Sequence, residues 1–165
     1  MATAVVLVTA LIMLFGFVVM VGAPYVPTLR VQSVTALDLL NLKAGDSLLE
    51  LGSGDGRVVK AAAERGIQVT GIELNPLLVL WSKLITWRYR DIVTIKWGNI
   101  WSTRHWPEKT DGIYVFLLDK FMQKLDKKVT QTYPSQSIKL VSFAFEIPNK
   151  KPKQERAGLY LYLYR

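Results

Sequence analysis

Residues 4–22, AVVLVTALIMLFGFVVMVG, form an apolar run that no charged side chain interrupts. At ~1.5 Å per helical residue the run spans roughly 29 Å, about the thickness of a bilayer's hydrocarbon core, so it predicts a transmembrane helix. Pro24-Tyr25-Val26-Pro27 predicts a break and a stiff link, because each proline fixes φ and lacks an N–H. From there the pattern changes. Val31, Val34, Leu37 and Leu40 recur at helical spacing and predict an amphipathic helix over 31–42, followed by a turn at Lys43-Ala44-Gly45-Asp46.

Short apolar runs then alternate with helical ones. Strands are expected at 47–51, 68–73, 92–97, 112–117 and 139–145, and helices at 57–65, 76–90 and 120–133. The first of these helices is alanine-rich and ends at Gly66. Asn75-Pro76 supplies a cap and a first-turn proline for the second. Such alternation implies an α/β fold with a mostly parallel sheet and helices on both faces. At the end, Leu159, Leu161 and Leu163 alternate with Tyr160, Tyr162 and Tyr164. The connection over 147–157 shows no helical pattern, so the fifth strand and this last one are expected to form an antiparallel hairpin. The expected organisation is an anchor over 1–23, a juxtamembrane link and helix over 24–46, and one domain over 47–165, with little room for a separate substrate-binding lobe.

Composition narrows the chemistry. The chain has no cysteine and one histidine, His105, which excludes disulfides, thiolate metal sites and a Cys nucleophile and argues against a His-rich metal centre. The net charge is +8, and 2–29 contain no charged residue, so all of it lies in the body. A basic body suits nucleic acid, acidic headgroups or an acidic partner; with no nucleic-acid motif present, the lipid bilayer is the expected partner. No Lys or Arg precedes the apolar run, and Pro24 would adjoin a cleavage point, so an uncleaved anchor fits better than a signal peptide. The first basic residue, Arg30, follows the run, which predicts a single-pass protein with its domain facing the cytoplasm.

The motif that carries chemistry runs from Glu50 to Arg57. An apolar strand ends in Glu50, and Gly52-Ser53-Gly54-Asp55-Gly56 follows before a helix. Glycines there let backbone approach a nucleotide-type cofactor closely. The G-x-G-x-G spacing with an acid before it points to S-adenosylmethionine (SAM); an NAD site would prefer G-x-G-x-x-G, and position 57 is arginine. Glu50 is expected to attract the cofactor's ammonium group. Glu73, with Leu74 and Asn75 after it, ends the second strand, where a carboxylate can accept from both ribose hydroxyls. Asn99 and Ile100 follow the third strand, where they either meet an adenine or form a plain turn. Asp119 follows the fourth, where it either orients or deprotonates a substrate amine or caps the next helix. The five tryptophans are read as core or membrane-interface packing. Lys150, Lys151, Lys153 and Arg156 are read as a basic loop that either is solvated or touches anionic headgroups.

Glu50-Leu-Gly-Ser-Gly-Asp-Gly-Arg57, Glu73-Leu-Asn-Pro76 with Trp81-Ser-Lys and Thr86-Trp-Arg after it, and Pro24-Tyr-Val-Pro27 together resemble the membrane-anchored protein-lysine N-methyltransferases. That family includes enzymes acting on the ATP synthase c-subunit and the adenine nucleotide translocase, with prokaryotic relatives. The resemblance covers about 24–126. It implies a Rossmann-like class I methyltransferase fold, SAM held by Glu50, Gly52, Gly54, Asp55 and Glu73, and a membrane protein as substrate. Two positions depart from the family pattern: Asn99 stands where Asp is expected, and Leu117-Leu118-Asp119 where mitochondrial members have Gly-Val-Pro. No Arg-rich transit peptide precedes the anchor, which favours a prokaryotic plasma membrane. Two other roles stay open: methylation of a lipid or quinone at the membrane, and a non-catalytic SAM-binding assembly factor.

Overall fold

A computed structural model describes residues 30–165, together with 1–3, 5, 6 and 9. The expected membrane span over 4–22 lies largely outside the described residues, and the link at Pro24–Pro27 wholly so. Among the described residues no helix is long and apolar enough to cross a membrane.

The body is a seven-stranded sheet in the order β3-β2-β1-β4-β5-β7-β6. The strands are β1 (Ser47–Leu51), β2 (Gln68–Glu73), β3 (Val93–Trp97), β4 (Gly112–Val115), β5 (Ile138–Phe143), β6 (Gln154–Arg156) and β7 (Leu159–Tyr164). The first five run parallel, and β7 lies antiparallel to β5. The helices within 30–165 are α1 (Arg30–Leu40), α2 (Arg57–Ala63), α3 (Pro76–Ile85) and α4 (Asp119–Thr132).

Central strands covered on both faces carry unbroken apolar runs rather than alternation. β4, GIYV, is buried at every position, and β1, SLLEL, at all but its first. One face of the sheet carries α1, α2 and α3. There Leu37, Leu40, Val59, Ala62 and Val79 pack on Leu48, Val69 and Ile95. The other face carries α4, whose Met122, Leu125 and Val129 lie at i, i+3 and i+7 and pack on Leu49, Leu51, Ile113 and Leu140. α1 also packs against β5 and β7, so the helix before the glycine loop belongs to the same core as the sheet.

The alternation in β7 divides between the two faces. Leu159 and Leu161 enter the α1 side, whereas Tyr162 and Tyr164 enter the α4 side. The Tyr162 hydroxyl accepts from the Ile147 N–H at 2.9 Å, and that of Tyr164 donates to Asp126 at 2.6 Å. Burying a tyrosine requires a partner for its hydroxyl, and both have one.

Four expectations are corrected. The connection to β7 is not plain loop: Gln154–Arg156 form β6, which pairs with the outer edge of β7. All three of its residues are exposed, so no hydrophobic period announces it. The helix expected to reach Arg90 stops at Ile85 and continues as a 3-10 turn, Trp87–Tyr89; Thr86 turns its hydroxyl back onto the Ser82 carbonyl at 2.7 Å. The residue capping α4 is Leu118, and Asp119 is the first helical residue, where a carboxylate complements the positive end of the helix. The basic loop is corrected at one residue: Lys151, Lys153 and Arg156 are exposed, but the Lys150 ammonium meets Asp126 at 2.8 Å and lies over the Tyr164 ring.

Candidate active site

The parallel order reverses at β1, which has β2 on one side and β4 on the other. In open α/β sheets, ligands bind outside the carboxyl ends of the strands at such a switch point. The glycine loop leaves β1 there, and the backbone shows why glycine is needed. Gly52, Gly54 and Gly56 have φ of 85°, 54° and 80°, a region that side chains with a Cβ rarely adopt. Gly52 and Ser53 both donate from backbone N–H to the Ile72 carbonyl, at 2.9 and 3.0 Å, which bends the loop across the end of β2. A Cβ on Gly52 would meet nothing within 4 Å, so the concave side of the loop is open.

Three carboxylates converge on this loop. Glu73 is buried; one oxygen accepts from the Gly54 N–H and the other from the Asn75 N–H, each at 2.8 Å. The acid therefore clamps the loop to the corner where β2 becomes α3. Asn75 caps α3 by accepting from the Leu77 N–H at 3.0 Å, with Pro76 at the first helical position. Leu74 holds the same corner from outside: its carbonyl accepts from the Trp97 indole at 2.9 Å. Asp55 pairs with the Arg57 guanidinium across the mouth of α2.

Glu50 is strongly perturbed. It is 3% exposed, and one carboxylate oxygen is buried with no hydrogen-bond partner. Burial, then the neighbouring Asp55 and Glu73 charges, push its pKa well above the ordinary carboxylate value; a hydrogen bond from the Val59 backbone opposes them weakly. An orphaned carboxyl oxygen under an open glycine turn is a receptor for a cation, because an arriving positive charge offsets both burial and repulsion. The Ser53 hydroxyl is also buried there without a partner.

The remaining expected site residues are placed differently. Asn99 follows β3, an edge strand, and its side-chain oxygen accepts from the Trp101 N–H at 2.9 Å, closing a local turn. Ile100 is buried among Leu49, Leu51 and Ile72. Asp119 is exposed at the carboxyl end of β4, on the same edge of the sheet as the glycine loop. His105 lies in a 3-10 turn against Gly98, where a Cβ would come within 2.6 Å of its ring. The residue that sequence reasoning left without a role is Ser82. It is fully buried on α3, and its hydroxyl would lie 2.1 Å from a Cβ on Gly56. The signal was faint: a single small residue beside Trp81 and among the leucines of α3.

Comparisons with known proteins agree with this geometry. The family model described as ANTKMT methyltransferase domain matches residues 50–154, from the strand-end acid to β6. The chain belongs to this methyltransferase family. It is 32% identical over 131 residues to the ATP synthase c-subunit lysine N-methyltransferase of Xenopus laevis, covering 78% of this chain and 56% of that protein. It is 32% identical over 132 residues to the adenine nucleotide translocase lysine N-methyltransferase of Mus musculus, with the same coverage. The chain thus spans about half the length of the curated relatives it matches. Among solved structures, an RNA methyltransferase from Salinibacter ruber in complex with S-adenosyl-L-homocysteine superposes with a TM-score of 0.74 at 26% identity, covering 84% of this chain and 92% of that one. The architecture is therefore the Rossmann-like class I methyltransferase fold, with a C-terminal antiparallel strand.

The state of Glu50 leads to a prediction. Unfolded, its carboxyl ionises in the ordinary range; folded, it keeps its proton to higher pH. Between those points the unfolded chain binds fewer protons, so stability falls as pH rises through that window and levels off above the folded value. Glu50→Gln removes this falling limb. At pH 7 to 8 the variant without cofactor is expected to melt about 2–4 °C above the parent, the equivalent of about 1 kcal/mol from relieving a poorly satisfied buried group. Its affinity for SAM should fall. Thermal melts across pH, with and without SAM, check both signs.

Proposed function

We propose that the protein is a SAM-dependent protein-lysine N-methyltransferase of a membrane protein, held at the membrane by 4–22 with its domain on the cytoplasmic side. The observation that carries the cofactor reading is the acidic cradle. A buried Glu50 oxygen without a partner lies beneath an open glycine turn, beside Glu73, in a chain whose residues 50–154 match a methyltransferase family. SAM fits this donor set: Glu50 suits its ammonium, Glu73 its ribose hydroxyls, and the Gly52 and Gly54 backbone its close approach. When bound, it supplies a methyl group on a positively charged sulfur, already activated for transfer.

The protein's own contribution is alignment and dehydration. A lysine attacks only as the neutral amine, and desolvation at the carboxyl end of β4, where Leu118 is half-buried, lowers its pKa. Asp119, exposed at the end of β4, is positioned to orient that amine or take its proton. Lysine as acceptor is supported by the names of both curated relatives. The anchor and its orientation rest on the uncharged run and on Arg30 as the first basic residue.

The test uses membranes from source cells lacking the gene, the purified chain and methyl-labelled SAM. Label is expected in a protein band as methyl-lysine, abolished by Glu73→Ala and reduced by Asp119→Asn at saturating SAM. Label in the lipid extract or in RNA would replace the lysine reading. SAM binding without transfer would leave an assembly role.

A further inference from the structure

α3 presents an apolar surface to the outside. Only Val79 and Ser82 of this helix are buried. Leu77, Leu80, Trp81 and Leu84 are 52%, 68%, 53% and 65% exposed, and their spacing of three and four places them in one stripe opposite the buried pair. A helix facing water carries polar residues there instead. Trp87, in the turn that follows, is exposed with the Arg90 guanidinium over its ring. Trp97 is exposed at the other end of the stripe, tied to the Leu74 carbonyl.

The charges along the stripe are basic, with exposed Asp91 following Arg90 at its far end. Residues 74–90 contain Lys83, Arg88 and Arg90, all exposed, and no acid. Leucine on one face, tryptophan at its borders and cations beside it suit the headgroup layer of an anionic bilayer. The chain's own layout agrees. α3 and α1 pack on the same face of the sheet, and α1 starts at Arg30, directly after the uncharged run 2–29. Val31 on α1 is 75% exposed.

We propose that α3 is a membrane-surface helix. Its Leu77, Leu80, Trp81 and Leu84 stripe enters the headgroup–acyl boundary of an anionic bilayer, while Lys83, Arg88 and Arg90 meet the lipid phosphates. The proposal rests on the anchor reading only for where the chain meets the bilayer. It has a consequence for substrate choice. α3 begins three residues after Glu73 and runs back beside β2 and β3, so seating it flat lays the strands along the membrane. The carboxyl edge of the sheet then opens sideways, within about one helix diameter (~10 Å) of the surface. A lysine at headgroup level on a membrane-embedded protein meets that opening directly.

The absence of cysteine allows a unique probe. The full chain carrying Leu80→Cys, labelled with an environment-sensitive fluorophore, is reconstituted with phosphatidylcholine vesicles with and without phosphatidylserine. Gln123→Cys, exposed on α4 across the sheet, is the control. The Leu80 probe is expected to shift to the blue and to lose most of its emission to brominated acyl chains, more so with phosphatidylserine, while the Gln123 probe stays aqueous. A vesicle-bound chain whose Leu80 probe reports water overturns the proposal and leaves the anchor standing. A chain that remains in solution overturns both. A shielded probe that brominated lipid does not quench assigns the face to protein, either 4–22 or a second copy, and also overturns it. Leu80→Glu with Leu84→Glu provides a second readout. Both positions are exposed, so the fold and SAM affinity are expected to hold while quenching of the Trp81, Trp87 and Trp97 emission by brominated, phosphatidylserine-containing vesicles is lost in the reconstituted chain; unchanged quenching counts against the proposal.

Discussion

Glu73→Ala is expected to weaken SAM binding by about 100-fold or more while leaving a folded protein. Each Glu73 oxygen accepts a backbone N–H at 2.8 Å, from Gly54 and from Asn75. Hydrogen bonds to a charged group contribute about 1.5–3 kcal/mol each, and 1.4 kcal/mol is tenfold in affinity. Alanine releases the loop from the β2–α3 corner and removes the proposed acceptor for the ribose hydroxyls. Two costs thus fall on one ligand. The fold loses less, because the Ile72 carbonyl still holds Gly52 and Ser53, and removal of one acid relieves Glu50. Glu73→Gln is not a rescue: its amide NH2 must face one of two backbone N–H donors. Isothermal titration with SAM, alongside circular dichroism melts, separates binding from folding. A folded Glu73→Ala that binds SAM within threefold of the parent would reduce Glu73 to a clamp on the loop.

The elements that sequence located within a residue or two are those whose burial is two-sided or whose ends carry chemistry. β1 and β2 are flanked by an acid and a turn, and both match the expected 47–51 and 68–73. Asn75-Pro76 marks the start of α3 because the cap and the proline each act locally. The far end of α3 is a different case. Nothing in Thr86-Trp87-Arg88 forbids another helical turn, and the stop depends on how Thr86 and Trp87 sit in the fold. β6 was illegible for the opposite reason: its three residues are exposed, and it forms by pairing with β7 rather than by burying side chains.

The site divides the same way. The placement of Glu50, Glu73 and the glycines at the carboxyl end of the sheet was legible because strand ends and glycine spacing are features of sequence alone. Ile100, a candidate for facing an adenine, lies in the core. Which side of an edge-strand turn a residue faces depends on how 99–107 fold back, with the Trp106 indole donating to the Ile100 carbonyl. The tryptophans show the limit most clearly. Trp106 is 6% exposed, whereas Trp81, Trp87 and Trp97 are each more than half exposed, and composition alone distinguishes none of them. Their exposure turned a count of aromatics into a surface that needs a partner.

Ser82 shows what only packing reveals, and it makes Gly56 the most crowded of the loop's glycines. Gly56→Ala is expected to destabilise the protein by about 3 kcal/mol, combining a residue forced to positive φ with an overpacked contact. The added Cβ would lie 2.1 Å from the Ser82 Oγ, 2.9 Å from its Cβ and 3.1 Å from its Cα, so rotating the hydroxyl away leaves the clash in place. α2 and α3 would have to separate at the point where the loop is held. At ~2–4 °C per kcal/mol in a domain of this size, the melting temperature should fall by roughly 6–12 °C. Gly52→Ala is the contrast. Its φ of 85° carries a similar strain, yet nothing lies within 4 Å of the new Cβ, so its main cost should fall on SAM binding. The contact itself is tested by adding Ser82→Gly, which removes two of the three clashing atoms. If the clash is the cause, Gly56→Ala should cost at least about 1 kcal/mol less in that background, a coupling typical of residues in contact. Additive melting shifts would instead assign the whole effect to the backbone of the loop.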